Sequence, residues 1–97
     1  MTGRAVLTMA TTVVASGDQI SCDVGDEAVL LSVVDGEYYG LNPVAASVWR
    51  QIREPRTLDM VRDALLAEYS GISSNECEGA LLELVGEMLL LGIARIH

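Results

Sequence analysis

Few side chains in this 97-residue sequence are of the kinds that carry out chemistry, and none are spaced to do it together. Catalysis needs acids, bases or nucleophiles that converge on one point. The single histidine, His97, is the last residue. Cys22 and Cys77 lie far apart, in no metal-ligand spacing, and Cys77 has no histidine to activate it. They read as reduced, half-buried small hydrophobes, with a disulfide left open. Asp23, Asp26 and Glu27 cluster at a turn but lack the loop pattern of a calcium site, so they read as a solvated acidic turn. No G-x-S-x-G, P-loop or G-x-G-x-x-G motif occurs. The chain therefore reads as a non-enzyme, with no cofactor and no metal.

What it can offer instead is main chain. Val29 to Val34 is an apolar run of strand length, rich in β-branched residues. Asp35-Gly36 predicts a two-residue hairpin turn, because glycine accepts the positive φ that a primed turn requires. The second strand is Glu37-Tyr38-Tyr39-Gly40-Leu41. Asn42-Pro43 then ends the strand and opens a helix, with Asn as N-cap and Pro at the first helical position. Pairing Val34 with Glu37 puts Leu30, Ser32, Val34, Glu37, Tyr39 and Leu41 on one face, and Val29, Leu31, Val33, Tyr38 and Gly40 on the other. Both faces of the first strand are apolar, which predicts that both are covered. Glu37 to Leu41 is read as a docking edge.

The elements around this hairpin follow from pattern. Residues 1–18 are ambiguous. Arg4 and the run Ala5 to Ala15 loosely imitate a signal peptide, but Thr8, Thr11 and Thr12 interrupt it and no cysteine framework follows. The reading is an extended arm or edge strand, with the domain proper spanning 19–97. Gln19 to Val24 alternates, with Ile20, Cys22 and Val24 on one face, and gives a first strand of a three-stranded antiparallel meander. Pro43 to Arg53 makes the first helix, burying Val44, Ala45, Val48, Trp49 and Ile52. Thr57 caps a second helix that Ser70-Gly71 stops. The third begins at a doubled capping signal, Ser73 before Glu76 and Asn75 before Glu78, and runs to about Leu91. It carries one stripe of Cys77, Leu81, Leu84, Met88 and Leu91, and a second of Leu82, Val85 and Leu89. The second stripe either lines a groove or widens a core or dimer contact, and both remain open. Ile93 to His97 is a short tail or last strand.

The bulk numbers agree with a single small α+β domain. At 51% hydrophobic with no Phe and one Trp, the core must be aliphatic. No run approaches the ~18 apolar residues of a membrane span. The net charge is −8, with six Arg and no Lys. Strands followed by three helices suggest a winged helix-turn-helix. Yet Glu76, Glu78, Glu83 and Glu87 would face a phosphate backbone with no cation among them, which makes nucleic acid a poor candidate as partner.

The stretch LLSVVDGEYYGLNPVAASVWRQI, a short link, TLDMVRDALLAEY, and an acidic-capped helix ending LLLGIARI resembles the PqqD-like family. The likeness is nearest to the stand-alone B1 proteins of lasso peptide clusters, which are precursor peptide recognition elements. It covers about Ala28 to Ile96 and is most specific at Gly36 to Pro43 with Trp49. The first twenty-odd residues match nothing. The resemblance implies a cytoplasmic adaptor that binds the leader of a ribosomally made precursor as an added strand. It would present that precursor to a separate B2-type leader peptidase, after which the freed core goes on to a cyclase. An acidic winged-helix regulator, or a PqqD-type carrier for a radical enzyme, is the alternative. On this reading the peptide meets Glu37, Tyr38, Tyr39, Gly40 and Leu41. Apolar pockets come from Leu82, Val85 and Leu89, and Glu78 and Glu83 sit on an acidic rim. Leu41 and Trp49 also read as core, and Tyr39 and Val85 divide between core and contact. An aspartate at Val85 is expected to abolish binding in a folded protein. The expected state is a monomer or weak dimer.

Overall fold

The computed structural model describes residues 7–33 and 35–97. Its strands form two small sheets. The first joins β2 (Gln19–Val24), β3 (Glu27–Ser32) and β4 (Tyr38–Leu41) in sequence order, all antiparallel. Gly25, at φ 65°, makes the tight turn between β2 and β3. Three helices follow: α1 (Pro43–Gln51), α2 (Leu58–Glu68) and α3 (Ser74–Leu90). The expected α+β architecture, a three-stranded meander followed by three helices, is present.

The helix signals are local, and the helices obey them. The Asn42 side chain accepts the Ala45 N–H at 2.9 Å with Pro43 at the first helical position, and Thr57 caps α2. Of the two capping signals before α3, Ser73 is the one used. It forms a reciprocal capping box with Glu76. Gly71 and Gly92 take positive φ at the helix exits.

Two expectations about the hairpin are corrected. The hairpin loop closed by Ser32 and Glu37 is four residues, not two. The Ser32 N–H donates to the Glu37 carbonyl at 2.9 Å, and Leu31 pairs with Tyr38. The expected partner of Glu37, Val34, lies outside the described residues. The register thus slips by two, and because strand side chains alternate with period two, the face assignments of the described residues survive the slip. The faces, however, are not both covered. Ala28, Leu30, Ser32 and Leu41 point inward against Ala45, Val48 and Trp49 of α1. The opposite face, with Ile20, Val24, Val29 and Tyr38, meets solvent, because all three helices pack on one side of the sheet. Cys22, expected half-buried, is exposed there, while Cys77 is buried; both are free thiols.

The second sheet was not anticipated as a sheet. β1 (Thr12–Ala15) is its middle strand, flanked by β5 (Arg56–Thr57), which opens α2, and by β6 (Ala94–Ile96), the chain's tail. Val13 is fully buried and Val14 nearly so. Residues 12–15 are therefore part of the core of the domain drawn as 19–97. The Arg4 and Ala5 positions of the signal-like run lie outside the described residues. No helix among the described residues is long and apolar enough to cross a membrane.

Candidate functional site

β4 is the edge of its sheet, and β1 does not cover it. In an antiparallel pair, hydrogen-bonded and non-bonded residues alternate. The Ser32–Glu37 bond fixes the phase, so Tyr39 and Leu41 bond toward β3. Tyr38 and Gly40 turn their N–H and C=O groups outward. An exposed edge of this kind is a template for a further strand. A Cβ built on Gly40 would point onto the sheet's outer face and meet nothing within 4 Å, so among the described residues that face is uncovered here.

Beside this edge runs a groove of about 370 Å³. Its strand wall is Tyr38, Tyr39, Gly40 and Leu41. Its helical wall is Leu84, Glu87, Met88 and Leu91, with Ala45 and Ile93 completing the floor. Past Leu84 an almost wholly apolar pocket of about 220 Å³ opens between the helices, bounded by Val44, Val48, Leu65, Tyr69, Ile72 and Cys77 among others. A peptide laid along β4 would have a main-chain ladder on one side and apolar sockets on the other.

Among the described residues the groove is bordered by acids and its lining includes no cation. The Glu37 N–H donates to Asp35 Oδ1 at 3.1 Å, and this bond above all holds the Asp35 carboxyl below its ordinary range. Partial burial pushes the Tyr39 phenol up, with the charges of Asp35 and Glu37 adding to it. Burial likewise raises the Cys77 thiol, so the one cysteine beside the apolar pocket is a poor nucleophile. Among the described residues no three His, Cys, Asp or Glu side chains gather as a metal site would require.

The structure brings together part of the predicted set. Tyr38, Tyr39, Gly40 and Leu41 line the groove, while Glu37 sits exposed at the turn just before it. The helical residues expected opposite them are elsewhere. Val85 is fully buried, so an aspartate there would break the core rather than probe binding. Leu82 and Leu89 lie about 160° and 140° round the helix from Leu84, at 100° per residue. Leu89 instead borders Leu7 and Ile96 near β6. Glu78 is not a groove rim: it accepts from Arg62 of α2 at 2.7 Å, and Asp59 and Asp63 share that guanidinium at 3.5 and 3.0 Å. Glu83 is exposed and outside the groove lining. The residues missed, Leu84, Glu87, Met88 and Leu91, mostly belong to the stripe assigned to core. Only the placement of the helix against β4 separates the shoulders of that stripe.

These features define a class: a small winged-helix-like domain whose sheet has one open edge facing an apolar, acid-bordered groove. The chain belongs to the PqqD family; the family described as Coenzyme PQQ synthesis protein D (PqqD) matches residues 27–93. Among solved structures it is similar to TbiB1 in complex with the TbiA(beta) leader peptide. The two are 27% identical, with a TM-score of 0.78, over 84% of this chain and 94% of the other. Comparison with curated proteins finds no match.

Proposed function

We propose that this chain binds the leader segment of a ribosomally synthesised precursor peptide by strand addition to β4. In lasso peptide biosynthesis it would then present the bound precursor to a leader peptidase, with the core passing on to a cyclase. The chain itself contributes binding and no bond chemistry. The observation that carries this reading is the outward-facing main chain of Tyr38 and Gly40 beside the apolar groove. Strand addition takes affinity from such a ladder and specificity from pockets for alternate side chains. The likeness to TbiB1, a protein described with a leader peptide bound, supports the same reading.

Gly40→Pro tests it. The Gly40 N–H serves no bond within the sheet, and proline is tolerated on an edge strand where its missing N–H faces outward. The variant should keep the wild-type circular dichroism yet bind a fluorescent leader peptide at least tenfold more weakly. Wild-type affinity in the folded variant would refute strand addition at this edge. A PqqD-type carrier serving a radical enzyme is the second reading, favoured by the family description. Productive transfer of the bound peptide to a radical enzyme, and not to a peptidase, would select it.

A further inference from the structure

Among the described residues nothing covers the outer face of the first sheet, which is apolar. Ile20, Leu31 and Tyr38 form one cross-strand row, and Cys22, Val29 and Gly40 the next. Ile20, Val24 and Val33 are 61%, 59% and 62% exposed. At 3.4 Å per residue and 4.8 Å between strands, the face measures roughly 17 by 14 Å, or about 240 Å². A patch of that size is ordinary for a monomer and does not by itself mark an interface, so its place beside the open edge and the charges at its ends must carry the assignment.

The charges around it decide what can cover it. From Ala5 to Trp49 the sequence has six acids and no Arg, Lys or His. Asp26 and Glu27 stand at one end of the sheet, and Asp18, Asp35 and Glu37 at the other. Among the described residues, the arginine beside this sheet, Arg50, is engaged by Asp23 at 3.1 Å and by the Glu27 carbonyl at 3.4 Å. A second copy laid on this face would set acids against acids at both ends, whichever way the strands crossed. An anionic bilayer or a nucleic acid would be repelled. A protein surface with an apolar centre and basic borders is complementary.

We infer that this face docks the processing enzyme that receives the bound peptide, through an apolar patch bordered by arginines or lysines on that enzyme. The inference rests on the leader-binding reading. A strand added beside β4 extends the same sheet and turns alternate side chains onto this face next to Tyr38, so an enzyme seated here meets the loaded edge directly. A standard interface buries about 800 Å² per partner. The apolar area is well below that, so the acidic ends must complete the contact. The association is therefore transient and salt-sensitive, as a handover requires.

The test uses β2, the strand farthest from the leader edge. Ile20→Glu and Val24→Glu replace exposed side chains, and the double variant Asp26→Lys/Glu27→Lys inverts one end. Leader affinity is read by fluorescence anisotropy, and self-association by sedimentation. Docking is read as the adaptor concentration that gives half-maximal precursor cleavage by the leader peptidase. Each variant should bind leader within twofold of wild type and raise the half-maximal concentration at least tenfold. The lysine variant should also lose the salt dependence. Unchanged cleavage would overturn the assignment. So would a wild-type dimer that the Ile20→Glu substitution dissociates, or a leader affinity that falls in step with cleavage. A wild-type chain that binds no leader refutes the underlying reading instead, and this assignment with it.

Discussion

Leu84 and Val85 are adjacent in sequence and lie on different surfaces, one beside the groove and one sealed in the core. Neither residue type distinguishes them; 100° of helix rotation does. Glu78 makes the same point for charge. Its composition suits a rim, but its carboxylate is taken by Arg62. Glu78→Gln should therefore leave leader affinity within twofold. It should cost at most about 1 kcal/mol of stability in urea, the upper limit for a solvent-accessible ion pair. A large loss of leader affinity with unchanged stability would return Glu78 to the site. Asp35 is a local matter that the sequence does reveal, since aspartate in a turn accepts a nearby backbone N–H. Its carboxyl titrates lower in the fold than in the unfolded chain. The turn's stabilisation is thus present above the ordinary carboxylate range and lost as pH falls through the lowered value. The Glu37 amide resonance should shift with a midpoint below 3.8, the ordinary value.

At the scale of elements, the sequence was most legible where the determinants are contiguous. Asn42-Pro43, Thr57 and the Ser73–Glu76 box place three helix starts, because a cap needs only its own next three residues. The hairpin was legible in its faces but not in its loop. Asp35-Gly36 satisfies a two-residue turn equally well, and only the Ser32–Glu37 pairing shows the longer link. That pairing has a functional consequence, since it decides which main-chain groups of β4 face outward. In the free protein the Tyr38 and Gly40 amides should exchange quickly with solvent, while that of Tyr39, bonded toward β3, is protected. Saturating leader peptide should slow exchange at Tyr38 and Gly40 at least tenfold and change Tyr39 little. Protection at Tyr39 alone would mean that the outward phase is assigned to the wrong residues.

At the scale of the whole molecule, the part least visible in sequence is the sheet made from both ends of the chain. β1, β5 and β6 are short and separated by dozens of residues, and no local pattern brings them together. Yet they hold the site in place. The Ala15 N–H donates to the Ile52 carbonyl at 2.7 Å, and the Ser16 N–H donates to the carbonyl of Ile93, a residue of the groove floor, at 3.0 Å. The family match begins at residue 27, which would suggest that everything before it is dispensable. The packing says otherwise. Burying a valine side chain contributes about 1.5–3 kcal/mol, so Val13 and Val14 together supply roughly 3–6 kcal/mol. That is a large share of the 5–15 kcal/mol by which a domain is stable. A chain starting at Asp18 should therefore lose cooperative urea unfolding or most of its stability, and Val13→Ala alone should cost about 2–3 kcal/mol. Leader affinity should fall with the truncation, because Ile93 loses its anchor, and should survive Val13→Ala wherever the fold does. A truncated chain with wild-type stability and wild-type leader affinity would show that the second sheet is an ornament on a self-sufficient PqqD core.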